Sequence, residues 1–235
     1  MLLPRALLKL PWQMAVLNQK VRAYRHIRKK LMYGELGSRR SFSDKTLAAE
    51  LGMSRTPVRE AILKLSDEGL LEIYPQSGIF VSRIPVAALP EAIIIRKALE
   101  ETTARLAAER ATPSQVLALQ SILERQREAS AAGDSDTFHQ ADETFHATVA
   151  DVAGYPGIWK YIQQVKVHVD RYRRLTLPQR GRIARVIVEH EAVLSAIEAH
   201  DAKGARRAME IHLESLLENI SATRHINPDY FDERP

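Results

Sequence analysis

Two groups of side chains in this 235-residue chain have types and spacings that could do chemistry. The first lies in Ser54-Arg55-Thr56-Pro57-Val58-Arg59-Glu60-Ala61, where Arg55, Thr56 and Arg59 stand at i, i+1 and i+4. Val58, Ala61, Ile62 and Leu65 form an apolar stripe on the opposite side. The first turn of such a helix can enter the DNA major groove, where a guanidinium matches guanine O6 and N7 bidentately. The second group is Asp142, His146, His190 and His212. Asp142 and His146 are four residues apart and so share one side of a helix. His190 and His212 are each flanked by apolar residues at core spacing, Val186, Val193 and Leu194 for one, Met209, Leu213 and Leu216 for the other. Three imidazoles and a carboxylate converging inside a bundle would hold a divalent metal ion, zinc foremost, with nickel and manganese also compatible. One carboxylate would leave the ion with about one positive charge, which favours an anionic ligand in its open positions. Taken singly, each histidine is more often a satisfied polar or surface group, and the spacing alone leaves both readings open.

The elements that must position these residues follow from periodicity and punctuation. Asn18–Tyr33 reads as an amphipathic helix ended by Gly34 and Gly37. Ser43 is placed to cap a short helix through Leu51, with Asp44 in its first turn; Gly52 turns the chain; Ser54 caps the helix that carries the arginines. Pro57 is tolerated near that helix start because its missing N–H had no partner there. Leu70–Tyr74 and Ile79–Ser82, around Pro75-Gln76-Ser77-Gly78, read as a hairpin. Helix, helix-turn-helix, then hairpin is the layout of a winged helix. Lys45 and the backbone at Gly78 are placed to hold phosphates or reach the minor groove.

From Pro90 onward only helical periodicity is present. Helices are expected near 90–110, 113–132, 135–153, 157–176, 182–199 and 202–222, joined by short connections and hence packed antiparallel. The fold class is therefore mainly α, an N-terminal winged helix-turn-helix followed by an all-α antiparallel bundle. The expected division is a disordered extension at 1–17, the DNA-binding domain at 18–83, a linker at 84–89, the helical domain at 90–223 and an irregular tail at 224–235.

The net charge of +5 is unevenly divided. Residues 1–85 hold 15 Lys and Arg against 7 Asp and Glu, and the remainder 19 against 22, so the N-terminal third is the part suited to a polyanion. The chain has no cysteine, which excludes disulfides and thiolate metal sites and agrees with a cytoplasmic location. No apolar run approaches the roughly 18–20 residues that span a bilayer, so no membrane partner is expected. Met1–Gln13 is basic and apolar but interrupted by Pro4 and Pro11. It lacks a signal peptide's apolar region and cleavage site, and is expected to be a tail or an extension ahead of a start near Met14.

Residues 20–83 resemble the DNA-binding domain of the GntR family, whose hallmark Ser-Arg-Thr-Pro-Val-Arg-Glu-Ala stands intact at Ser54–Ala61. Leu65, Glu68-Gly69-Leu70 and Gly78-Ile79-Phe80-Val81 continue the match. The resemblance implies that Arg55, Thr56 and Arg59 read operator bases, with Lys45 and Gly78 assisting. Where the family has Pro-Gly and Ser-Glu before the first short helix, this chain has Gly37-Ser38 and Ser43-Asp44. Residues 90–222 resemble the all-helical C-terminal domain of the FadR subfamily, called FCD. Arg96, Leu99-Glu100, Asp142-x-x-Phe145-His146, Glu189-His190 and Asp201, Ala205, Ala208, His212 carry that likeness. The family's mid-domain Asn is absent, with Tyr155 nearby. In metal-containing members an Asp and three His hold the ion, and they map onto Asp142, His146, His190 and His212. Arg96 is the candidate to pair with an effector carboxylate, against the alternative of a salt bridge with Glu100. His139, His168, His200 and His225 have no matching positions and are taken as surface or supporting groups.

The implied function is a homodimeric transcription repressor on a palindromic double-stranded operator, controlled by a small carboxylate metabolite at a metal-containing site. The linker Ile84–Leu89 would set the separation of the two reading helices, and effector binding is expected to release DNA. Two other readings compete. A metal-dependent hydrolase would need a base near the ion, but Glu143 and Glu189, beside His residues or Asp142 in sequence, project about 100° away on their helices. That reading also leaves the DNA-binding half without a purpose, and the chain is not expected to be an enzyme. A constitutive DNA-binding dimer would not need the intact Asp/His set.

Overall fold

The computed structural model describes residues 11–36, 41–176, 181–218 and 230–232. It divides into two compact units, residues 1–83 and 84–235. The sequence features at Gly37-Ser38 and His225, and the rest of the extension at 1–10, lie outside the described residues.

In the first unit, α1 (Pro11–Met32) begins ahead of the expected Asn18, inside the stretch assigned to an extension. It packs on α3 (Arg55–Asp67), burying Ala23, Ile27 and Leu31 against Val58, Ile62 and Leu65. Helix α2 (Asp44–Leu51) starts because the Ser43 hydroxyl accepts from the Thr46 N–H at 3.1 Å. It stops at Gly52, whose φ of 60° is left-handed. Ser54 is the N-cap of α3 by backbone conformation, but its side chain makes no capping bond; the sequence reading assigned it one. Strands β1 (Leu71–Tyr74) and β2 (Gly78–Val81) are antiparallel, with Leu71 opposite Val81 and Tyr74 opposite Gly78. Phe42 bridges to Ile79, tying the segment before α2 to the wing.

The second unit opens with β3 (Ile84–Pro85) and a single 3₁₀ turn, so the expected linker is largely ordered. Among the described residues seven helices follow: α4 (Leu89–Arg110), α5 (Pro113–Ala131), α6 (Ser135–Val152), α7 (Pro156–Val165), α8 (Val167–Thr176), α9 (Arg182–Glu198) and α10 (Ala202–Glu218). Sequence signals set several starts. Thr112 and Gln115 form a reciprocal capping box for α5, and Asp134 accepts from the N–H groups of Asp136 and Thr137 at the start of α6. The expected single helix at 157–176 is two, broken at Lys166. Neither Gly nor Pro marks this break. Val165, Val167 and Val169 weaken helix preference around it, and the buried Lys166 ammonium is bonded to Asp170 at 2.5 Å and to Glu143.

The core lies where α4 packs on α10, α6 and α9, α10 on α9, and α5 on α6 and α9. Leu89, Ile93, Phe138, Phe145, Met209 and Leu213 are buried there. The tail, expected to be irregular, contributes β4 (Phe231–Asp232), which pairs in parallel with β3.

Candidate functional site

On the first unit, Arg55, Thr56, Arg59 and Lys45 are all exposed, while Pro57, Val58 and Ala61 are buried beneath them. Apolar burial on one side of α3 therefore turns the two guanidinium groups to solvent. They are not loose. Asp44 of α2, with a side chain only 13% exposed, accepts from Arg55 Nη2 at 2.9 Å and also from Arg59 Nε. The two arginines hold its carboxyl below the ordinary range, Arg55 by the larger hydrogen-bonding effect. From sequence Asp44 has only a role at the helix start; the structure makes it a brace between Arg55 and Arg59. Gly78 has a φ of 113°, and a Cβ there would meet Ser41 Cβ at 3.0 Å, so the close approach of wing and pre-α2 segment requires glycine.

In the second unit, helices α6, α9 and α10 bring His146, His190 and His212 together, each nearly fully buried, with ligand nitrogens within 4.8 Å of one another. Each imidazole has a different neighbour at Nδ1, hydrogen-bonded in the case of His190 and His212. His146 Nδ1 lies 2.5 Å from Glu100 Oε2 on α4, His190 Nδ1 is 2.9 Å from Gln126 Oε1 on α5, and His212 Nδ1 is 2.8 Å from Glu189 Oε2 on α9. An ionised carboxylate only accepts, so Glu189 makes the Nδ1 atom of His212 a donor and leaves its Nε2 atom as a lone pair; the Glu100 carboxylate sits close to His146 Nδ1 as a charge neighbour, without hydrogen-bond geometry. The Gln126 amide can donate or accept, so it suits either tautomer of His190. Phe145 stacks on His190 at 4.3 Å and fixes its ring plane. His190 and His212 Nε2 face each other at 3.3 Å, and His146 Nε2 has no hydrogen-bond partner among the described residues.

Asp142 sits at the edge of this cluster. Its Oδ1 is 3.9 Å from His190 Nε2, and both oxygens accept from Arg173 of α8, at 2.6 and 2.7 Å. Burial raises the carboxyl's pKa, but Arg173 outweighs it and keeps Asp142 far below the ordinary range. Burial, then the charge of neighbouring groups, keeps His190 well below the usual histidine value, and burial lowers His212 against the pull of Glu189. Arg96, 1% exposed, donates from Nε to Glu100 at 2.6 Å, so the salt bridge that stood as the alternative to effector pairing is present; yet Nη1 has no partner among the described residues. Trp159 lies parallel to His146, with ring centroids 6.1 Å apart.

Glu100, Gln126, Glu189 and Arg173 were not assigned these roles from sequence. Glu189 projects away from His190, as helix geometry predicts, and that projection carries it to His212 on α10. His139, taken as a surface or supporting group, is buried and its pKa falls to about 3, first through burial and then through Arg173. His200 bonds the Ala108 carbonyl at 2.8 Å.

Comparison with known proteins agrees with this division. Residues 19–81 match the bacterial regulatory proteins of the gntR family, and residues 91–215 match the FCD domain. The chain is 32% identical over 216 residues to the HTH-type transcriptional repressor RspR of Escherichia coli K12, covering 92% of this chain and 94% of that one. It is 32% identical over 208 residues to an HTH-type transcriptional regulator in an unstable DNA locus of Streptomyces ambofaciens, covering 88% and 87%. The solved structure of E. coli McbR/YncC superimposes with a TM-score of 0.75 at 26% identity, covering 88% of this chain and 99% of that one. Among the described residues no helix is long and apolar enough to cross a membrane. These relatives are regulators rather than enzymes, and the chain belongs to the GntR family as a DNA-binding transcriptional regulator with a C-terminal FCD domain.

Proposed function

We propose that this regulator is a homodimeric, cytoplasmic repressor whose grip on a palindromic operator is set by a small carboxylate bound beside a metal ion. The observation that carries this reading is the buried His146/His190/His212 cluster, in which Gln126 and Glu189 engage Nδ1 of His190 and His212. Their Nε2 atoms have only each other, at 3.3 Å, and His146 Nε2 has no hydrogen-bond partner among the described residues. Burying a ring nitrogen unpaired is costly, whereas a divalent cation would satisfy all three at once. His146, His190 and His212 would hold the ion, with Asp142 as the carboxylate on the same side of α6; the bound metal supplies a Lewis-acidic centre for an anion. The buried Arg96 Nη1 is a second anchor for a carboxylate, next to the Glu100 that supports His146. Arg55, Thr56 and Arg59 read bases, while Lys45 and the Gly78 backbone contact phosphate. Two copies on a two-fold operator supply the discrimination that one module lacks. RspR, a relative along nearly the whole chain, is named a repressor.

The test is a thermal-shift screen of small organic and sugar acids against the zinc-loaded protein, followed by gel-shift of DNA upstream of its own gene. A carboxylate that raises the midpoint and releases the DNA supports the reading. If no acid in the set binds and the DNA complex is indifferent to all of them, the sensor role is lost.

A further inference from the structure

We propose that the C-terminal segment Tyr230–Asp232 is a strap that, through α8, couples occupancy of the histidine cluster to the first residues of the linker; this rests on the metal-site reading above. Strand β4 pairs in parallel with β3, Ile84 opposite Phe231 and Pro85 opposite Asp232. Two paired residues with a proline on one strand cannot hold themselves in water. Side-chain burial holds them instead. Phe231 is 5% exposed and Ile84 fully buried, and Phe231 meets Tyr172 of α8 with ring centroids 6.3 Å apart. Arg171, also buried on α8, lies within electrostatic reach of Tyr230.

The next residue of the same turn is Arg173, which grips Asp142 with two bonds. One turn of α8 therefore carries Tyr172, which meets Phe231 of the strap, and Arg173, which grips Asp142. Neighbouring residues on a helix project about 100° apart, so the two contacts lie on different sides of one rigid element. Asp142, if recruited to an ion held by the three histidines, would leave Arg173, and the turn that would lose this bond is the one on which Phe231 is seated. Ile84 directly follows Arg83, the last residue of the DNA-binding unit, so whatever loosens β3 loosens the start of the linker. Coupling of this kind is reciprocal: the strap must alter the site's affinity by the factor with which the site alters the strap.

The experiment uses the full chain and zinc alone. In the wild type, zinc should change amide exchange of the peptides covering Ile84–Ala88 and Tyr230–Asp232. Phe231→Ala should shift the zinc dissociation constant, read by chelator competition, by about 5-fold or more, while Phe231→Tyr retains the wild-type value. The wild-type exchange measurement does not depend on the folding of any variant. Normal zinc binding with unaltered exchange at both peptides, or with equal affinity in folded Phe231→Ala, would overturn the strap and spare the metal site. Failure of wild type to bind zinc at all would overturn both.

Discussion

His190 and His212 point their Nε2 atoms at each other across 3.3 Å while their Nδ1 atoms are engaged on opposite sides by Gln126 and Glu189. Because Glu189 can only accept, it decides the tautomer of His212. Glu189→Gln gives that ring a partner able to donate, which no longer enforces a lone pair at Nε2. The substitution should weaken zinc binding about 10- to 100-fold with little change in helix content, measured by chelator competition and circular dichroism. Unchanged affinity would remove Glu189 from the site's support.

Acid should destabilise the metal-free protein from an unusually early point. His190, His212 and His139 are held below their ordinary value by burial, so between their folded values and about 6.5 the unfolded chain binds more protons than the folded one. Stability is then full above about pH 6.5 and falls as pH drops below it. Denaturation of chelated protein at pH 7.5 and pH 5.5 should give a lower midpoint at pH 5.5. Equal midpoints would mean these histidines are already open to protonation.

Arg173 and Asp142 are both nearly fully buried. Arg173→Ala leaves an uncompensated carboxylate and should cost about 3–5 kcal/mol, the usual loss on breaking a buried pair from one side. Equilibrium urea unfolding measures it; a loss under about 1 kcal/mol would show that Asp142 is relieved by other groups.

On the DNA-binding unit, Arg59→Ala should cost roughly 1–3 kcal/mol on the operator and relax discrimination. Lys45→Ala should weaken all sequences alike and reduce the salt slope by about one unit. Asp44→Asn releases both arginines and removes a negative charge facing DNA, so affinity for random duplex should rise while discrimination falls. Salt-dependent binding to operator and random duplex separates these outcomes, and full discrimination in folded Arg59→Ala would show that α3 is not the reader.

The helix α3 and its outward arginines were legible because the signals are local: the apolar stripe, Pro57 and the glycine turn specify them wherever the helix packs. The bundle's boundaries were legible for the same reason, through Thr112-Pro113 and Asp134. The break at Lys166 was not, since it answers a buried ammonium bonded to Glu143, a residue of another helix. Type and spacing left the histidines as one of two readings, and only the family resemblance singled them out; their supports could not be named at all. Glu100, Gln126, Glu189 and Arg173 act across helix pairs, and a side chain's reach toward a neighbouring helix leaves no periodic trace. The β3–β4 pairing joins residues almost 150 positions apart, and two residues carry too little pattern to announce a strand.

Metal content tests the central claim most directly. Wild-type protein and His190→Ala, purified without chelator, should be analysed for bound metal and then titrated with zinc. The account predicts a stoichiometric divalent ion in the wild type, its loss in His190→Ala, and a higher thermal midpoint for the loaded wild type, since a ligand of the folded state stabilises it by mass action. A wild-type chain that carries no metal, takes up none on titration, and still binds a carboxylate would contradict it.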